Sequence, residues 1–390
     1  MPACVRVRPG LSANLPQGAE SVPQAHSDMG DSDFPLDAAA MPTVAQYQRK
    51  PLQYGNFSVE GYFATVRLHL SPATKIQVRI VPFASRGLWR RLGNIVYCGL
   101  RRSGLHHVTG DIHYATFVLP RMRTVLTILD CAFETDPNRI RQQLRRMLWY
   151  SLPVRRCAVV TVISEFTRSR LLAHLNCDPE KIRVVPVCIS PLFKQCSRPF
   201  NYAKPRILQI GTTENKNLQR LGVALNGLPC HLRIIGRLTE TQLNVLSREQ
   251  IDFSNSCNLP ESEVIKEYEE CDMVVLPSTY EGFGMPIVEA NVVGRPVITS
   301  NVTAMPEIAA DAACLVNPFD PISIREGIER VIGDARYREQ LINNGYRNAL
   351  RFSAANVAKL YQQVYAELDA ISCHSGAHGE QFRIHARDVP

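Results

Sequence analysis

The chain has 390 residues, 45% hydrophobic and 21% charged, with a formal net charge of +8. That length suits two to three domains, and 22 Gly and 26 Pro are an ordinary share, which excludes collagen-like and low-complexity classes. No apolar run approaches the ~18 residues of a membrane-spanning helix.

Residues 1–45 mix Pro, Ser, Ala, Gly and Asp without periodicity and read as a mobile tail. No apolar stretch follows the early arginines, so no secretory signal is expected and the chain reads as cytoplasmic. Patterning begins near Tyr47. KIQVRIVPF (75–83) alternates like a strand, and HHVTGDIHYATFVL (106–119) starts as one before a Gly-Asp turn. TVLTILD (124–130), AVVTVIS (158–164) and KIRVVPV (181–187) are further strands. SEFTRSRLLAHL (164–175) opens on Ser and spaces its apolar residues as a capped helix does. CSRPFNYAKP (196–205), with two prolines and no period, reads as a linker. A second alternating series follows. Its strands are RILQIG (206–211), HLRIIG (231–236), DMVVLP (272–277), PVITS (296–300) and ACLVN (313–317). Its helices are NKNLQRLGVAL, SEVIKEYEEC, MPIVEANVV, ISIREGIERVIG and one around 354–370. Strands alternating with helices predict parallel sheets. The expected organisation is therefore two doubly wound α/β domains, 46–198 and 199–370, facing across a cleft, with a mobile tail at 371–390.

Charge divides unevenly. Residues 1–200 hold 26 Lys+Arg against 13 Asp+Glu, and residues 201–390 hold 18 against 23. The basic excess gathers in 85–102 and 139–156, where Arg pairs alternate with Trp, Leu and Tyr. Such stretches suit an anionic membrane surface, through Arg90, Arg91, Arg145 and Arg146. The plainer alternative is a solvated helix face with its apolar side in the core. Nucleic acid is not an expected partner, because no nucleic-acid-binding motif accompanies the charge. The twelve cysteines form no C-x-x-C pair, so zinc is disfavoured and they read as small buried hydrophobes kept reduced.

The chemically informative segment is PSTYEGFGMPIVEANVVGRPVITSN (277–301). Gly282 and Gly284 flank Phe283 at a strand-to-helix turn. The exposed backbone N–H groups and the positive end of the following helix make a site for anions and hydroxyls. Glu281 precedes the turn and Glu289 lies about one turn into the helix, where a carboxylate suits a ribose diol. Taken singly, Glu281 would read as a helix cap and Glu289 as a surface residue. Gly-Phe-Gly between two Glu at this spacing is much rarer.

YEGFGMPIVEA resembles the E-x7-E motif of family-4 retaining glycosyltransferases (glycosyl transferases group 1), which have the GT-B fold of two Rossmann-like domains. The resemblance runs over GTTENKNLQRL, LRIIGRL, EYEECDMVVLPSTYEGFGMPIVEA and GRPVITSNVTAMPEIAADAACLVNPFD, and more loosely over the first domain. It implies a hexosyltransferase whose donor is a nucleotide-diphosphate sugar, GDP-mannose first and UDP-sugars next. Glu281 would contact the transferred sugar, with the backbone of Gly282, Phe283 and Gly284; Glu289 would hold the ribose. Lys216 would bind the diphosphate above Gly211 and Thr212. Gly236 would admit base or phosphate, and Ser278 and Tyr280 would line the loop. Many relatives carry Arg at the position of Thr212, for which Arg237 is the available substitute. Many also end the TVLTILD strand on His, where this chain has Leu129-Asp130; Asp111, His113 and Asp130 are the candidates to fill the cleft, while His113 alone would more often be structural. The resemblance implies retention by same-face attack, with no cofactor and no metal. The acceptor expected is a glycan or lipid-linked intermediate in surface-polysaccharide synthesis, met peripherally at the inner membrane face. An inactive nucleotide-sugar-binding subunit of a glycan-assembly complex is the alternative, supported by the missing His.

Overall fold

A computed structural model describes residues 43–50, 59–131 and 138–385, the last twelve of these through their backbone. The tail expected over 1–45 lies outside the described residues as far as 42. Its final residues are not tail: they open the first strand, β1 (Val44–Gln48), which is buried along its length.

The first sheet comprises β1, β2 (Ile76–Ile80), β3 (Leu105–Thr109), β4 (Thr124–Ile128), β5 (Val159–Val162) and β6 (Ile182–Val184), all parallel, in the order β2-β1-β3-β4-β5-β6. Its helices are α1 (Val59–His69), α2 (Leu88–Leu100), α3 (Arg139–Arg145), α4 (Leu152–Arg155) and α5 (Glu165–His174), with a π-helical turn over Arg146–Ser151. Parallel strands covered on both faces read as continuous apolar runs. β4 and β5 fit this, being buried at every position, whereas β2 at the edge is largely exposed.

The second sheet comprises β7 (Arg206–Ile210), β8 (His231–Ile235), β9 (Phe253–Ser256), β10 (Met273–Leu276), β11 (Val297–Ser300) and β12 (Ala313–Val316), in the order β12-β11-β10-β7-β8-β9. Around it lie α6 (Leu218–Leu225), α7 (Glu240–Arg248), α8 (Glu261–Glu270), α9 (Met285–Val293), α10 (Met305–Ala309), α11 (Pro321–Gly333) and α12 (Ala335–Leu350). The strand order reverses between β7 and β10, the topological switch point at which open α/β sheets bind ligands.

The last helix, α13 (Ala354–His385), does not stay with the second sheet. Its apolar face, with Val357, Tyr361, Val364, Tyr365 and Leu368, packs into a core cluster with Val44, Tyr62, Phe63 and Val125 of the first. The helix around 354–370 therefore closes the first domain. It also runs through most of the expected 371–390 tail; residues 386–390 lie outside the described residues. Among the described residues no helix is long and apolar enough to cross a membrane.

The two readings of 85–102 differ in where α2 turns its apolar side. The inward side of α2 carries Asn94 and Cys98. Trp89, Leu92, Val96 and Leu100, at helical spacing, are 83%, 41%, 59% and 81% exposed. An apolar stripe of α2 thus faces outward, against the alternative of a helix with its whole apolar side in the core, although Ile95 and Tyr97 pack on the core. Ile140, Leu144, Met147 and Leu148 add exposed apolar surface nearby. Arg91 joins the two segments, its guanidinium 4.4 Å from the ring centroid of Trp149.

Candidate functional site

The site is built where β7 and β10 end. β7 runs into Gly211 at φ 87°, where a Cβ would stand 2.8 Å from Cε of Lys216; the glycine lets that side chain fold back over the strand end. A short 3-10 turn, Glu214–Lys216, carries the lysine, and Asn217 in the left-handed region (φ 59°) turns the chain into α6. This turn interrupts the helix expected over 215–225. Asn217 is fastened by its side-chain amide, which donates to the carbonyls of Pro277 (2.9 Å) and Pro318 (2.6 Å).

The two loops are stitched together. Thr279 N–H donates to the carbonyl of Asn215 (2.8 Å), and the Asn215 amide donates to that of Tyr280 (2.8 Å). The ammonium of Lys216 lies 2.6 Å from Oε1 of Glu281, both side chains being largely shielded. Gly284, at φ 98°, is the N-cap residue of α9, with Pro286 just inside; the Ile287 N–H donates to the Gly284 carbonyl (3.0 Å), and the positive dipole end of α9 faces the cavity with Lys216 and Glu281. A cavity of about 350 Å³ is lined by Lys216, Glu281, Gly282, Phe283, Gly284 and Met285 on one side. Val59, Tyr62, Leu129, Asp130 and Ile163 of the first domain close the other. The domains touch here: a Cβ on Gly282 would stand 3.1 Å from the carbonyl oxygen of Leu129.

The remaining candidates are distributed as follows. Glu289 is buried, and Tyr268, fully enclosed on α8, donates its hydroxyl to Glu289 Oε2. Burial pushes the Glu289 carboxyl up to about 7, against the opposing effects of the Tyr268 hydroxyl and the Lys216 charge. Glu289 is thus not a surface residue. Phe283 turns its ring into the core, edge-on to Phe352, and offers only its backbone. Ser278 is fully buried, and its hydroxyl has no protein partner. Tyr280 packs against Phe166 of α5 with ring centroids 5.8 Å apart. Gly236 at φ 146° leaves room for Thr212, whose hydroxyl donates to the Arg237 carbonyl (2.6 Å). Thr212 is thereby committed to the neighbouring strand end, and the Arg237 side chain is exposed.

Of the three candidates for the missing His, Asp130 lines the cavity. Asp111 is exposed and paired with Arg49, which also binds Glu60 at 2.7 Å. His113 is buried away from the cavity lining; its Nδ1–H donates to the Trp149 carbonyl (2.6 Å), its ring meets Tyr150 edge-on, and burial lowers its pKa. Asn215, Asn217 and Tyr268 were not singled out from the sequence, since an asparagine next to a lysine and a tyrosine in a helix carry no local signal of a role. Among the described residues no three His, Cys, Asp or Glu side chains cluster as a metal site. None of the described cysteines is in a disulfide, and most are buried.

Residues 197–348 match the family model described as Glycosyl transferases group 1. The serotype-specific mannosyltransferase WbdA of Escherichia coli is 33% identical over 140 residues, which are 36% of this chain and 17% of that protein. The chain thus spans about a sixth of that relative's length. The O-antigen chain mannosyltransferase B of Escherichia coli is 28% identical over 281 residues, covering 63% of this chain and 71% of that protein. Among solved structures, sucrose-phosphate synthase of Thermosynechococcus elongatus superposes with a TM-score of 0.68 at 16% identity, over 84% of this chain and 99% of that one. HepE of Anabaena, in complex with UDP and glucose, superposes with a TM-score of 0.65 at 13% identity, over 84% of this chain and 100% of that one. The chain has the GT-B fold, and its residues 197–348 match a glycosyl transferases group 1 domain.

Proposed function

We propose that this chain is a retaining hexosyltransferase that moves a sugar, mannose from GDP-mannose in the first instance, to a glycan or lipid-linked acceptor in surface-polysaccharide synthesis. The observation that carries the reading is the Lys216–Glu281 pair beside the N-terminus of α9, at the switch point of the second sheet and facing the first domain across a cavity. The Escherichia coli relatives, both mannosyltransferases, support mannose, and the UDP held by the Anabaena protein keeps UDP-sugars as the second donor class.

In this mechanism the ammonium of Lys216 has three donors and serves the donor diphosphate while still reaching Glu281. The bond between the anomeric carbon and the phosphate oxygen breaks. Lys216 and the positive dipole end of α9 stabilise the charge that builds on the leaving nucleoside diphosphate. The acceptor hydroxyl bonds to the anomeric carbon from the same face, and its proton passes to the departing phosphate oxygen. Glu281 faces the sugar hydroxyls, and Glu289, one oxygen held by Tyr268, turns the other to the ribose. The fixed cation and helix terminus supply the positive charge, so we propose that transfer needs no divalent metal. The exposed apolar stripe of α2, flanked by Arg90, Arg91, Arg145 and Arg146, would dock the first domain on an anionic membrane and bring a lipid-linked acceptor to the cleft.

Calorimetry with GDP- and UDP-sugars, followed by detection of released nucleoside diphosphate with and without chelator, tests this. Binding and metal-independent turnover of GDP-mannose are expected. Binding without any turnover would assign the chain to the inactive class of subunit, and no binding of any sugar nucleotide would reject the reading.

A further inference from the structure

A contact between the two domains lies directly behind the Gly-Phe-Gly turn and is made by residues that the mechanism above does not use. Ser164 caps α5 of the first domain, its hydroxyl oxygen accepting from Thr167 N–H (3.1 Å). The same hydroxyl donates across the domain boundary to the carbonyl of Gly282 (2.8 Å). Ser164 is fully buried, so this bond forms without competing solvent. From the other side, α10 of the second domain presents Glu307. Its two carboxylate oxygens accept from the N–H groups of Glu165 (2.8 Å) and Phe166 (3.0 Å), the first two residues of α5. These are donors that a helix leaves unsatisfied, at its positive end, and a carboxylate from a different domain completes them. The Phe166 ring then packs on Tyr280, and Glu281 N–H is directed at the hydroxyl of Thr303 (3.3 Å). Residues 280–282 are therefore gripped from both domains.

We propose that Glu307 and Ser164 are positioning residues that form an interdomain clasp, setting the Glu281–Gly284 turn against the first domain in the geometry that transfer requires. This deepens the proposed function and rests on it. Neither residue lines the cavity. Both act through the turn, and nucleotide binding, which the second domain supplies, does not require the clasp. Opening it would move Glu281 relative to Asp130 and Leu129. Misplacement by ~1 Å costs a reaction up to about 100-fold in rate.

The test compares Glu307→Ala, Glu307→Gln and Ser164→Ala with the parent chain. The readouts are kcat with GDP-mannose, GDP affinity by calorimetry, and radius of gyration by solution scattering. Glu307→Ala is expected to lower kcat by roughly 10- to 100-fold. Glu307→Gln, which keeps one good acceptor, should recover part of that loss. GDP affinity should stay within about twofold, and Glu307→Ala should scatter as a more open particle. A parallel loss of kcat and GDP affinity would overturn the positioning role, because the turn would then simply fold less well. Unchanged kcat in both alanine variants would overturn it too. If the parent chain turns over no donor, the proposed function fails by itself, and scattering still decides the clasp: an unaltered radius of gyration in Glu307→Ala rejects it.

Discussion

Glu281 lies in the loop before α9 and Glu289 inside that helix, and their surroundings differ completely. Glu281 is met by an ammonium at the cavity wall, while Glu289 is enclosed and met by a tyrosine hydroxyl. Contacts to the ribose are alike in ground and transition states and act mainly on KM. Contacts to the sugar strengthen as charge develops and act on kcat. Glu281→Gln should therefore lower kcat by ~10²-fold and leave GDP affinity nearly unchanged. Glu289→Gln should raise donor KM by ~10-fold and weaken GDP by a similar factor. Steady-state kinetics with calorimetry on the two variants checks this, and the reverse pattern would exchange the assigned roles. Acid–base behaviour gives a second measurement. The Glu289 carboxyl titrates at about 7 in the fold, above the ordinary carboxylate range. Two ribose hydroxyls need the ionised form as acceptor. GDP affinity should thus climb as pH rises through about 7 and then level off, and Glu289→Gln should abolish that climb. The same shift opposes stability: the folded chain holds this proton when the unfolded chain has lost it, so the contribution to stability falls as pH rises towards 7.

At the scale of elements, most strands and helices of both sheets were readable from periodicity, because buried parallel strands are apolar runs and capped helices announce themselves. β1, α1, α7, β9, α10 and α12 were not. β9 reads FSNS and is a half-exposed edge strand, so it has no apolar run to find. α12 is polar on most faces and packs on α9 through Gly345 and Asn348, both against Asn291, instead of large apolar residues. α2 was visible as a basic, aromatic stretch, but only tertiary packing decided which side of it faces out. With four large apolar residues outward and arginines beside them, it should hold anionic vesicles by two separable terms. Exchanging Arg90 and Arg145 for Gln should remove ~1 kcal/mol each at low salt and little at high salt. Exchanging Trp89 and Leu92 for Ser should weaken binding at every salt concentration. Sedimentation with phosphatidylglycerol vesicles measures both, and retention of full binding by the four-residue variant would leave α2 without a membrane role.

Over the whole molecule, the return of α13 to the first sheet is secured by a buried chain of hydrogen bonds. The amide of Gln46 donates to the Tyr365 hydroxyl (2.9 Å), which faces His107 Nδ1 at 2.8 Å. His107 Nε2 lies 2.7 Å from the Thr127 hydroxyl, which in turn meets Thr161 at 2.7 Å. Since Tyr365 already accepts from Gln46, its proton goes to Nδ1, and His107 is held neutral with its proton on Nε2. Burial brings its pKa down to about 3. The unfolded chain takes up a proton near the ordinary histidine value and the fold does not, so this residue's stabilising effect is full above about 6.5 and shrinks on acidification, by ~1.4 kcal/mol per pH unit. His107→Leu takes one partner each from Tyr365 and Thr127, which keep Gln46 and Thr161, and should cost ~1–3 kcal/mol at pH 7.5. The gap between parent and variant should narrow by pH 5, read from denaturant unfolding at both pH values. An unchanged gap would mean that His107 is not held neutral.

By itself the sequence determined the fold class, and it singled out the linker expected near 196–205 and the loop proposed to carry the site. All three rest on local features: apolar periodicity, proline spacing, and the Glu-Gly-Phe-Gly turn at the end of a buried strand. Lys216 was reachable because its segment resembles a known diphosphate-binding lysine. Only the tertiary structure decided that Lys216 pairs with Glu281, that Tyr268 lies under Glu289, that His113 is bonded into the first domain and Asp130 lines the cavity, and that Glu307 reaches across to α5. Each of these depends on groups 21 to 142 residues apart in the chain. Local propensity is blind at that range, and packing of the two sheets brings such groups within bonding distance.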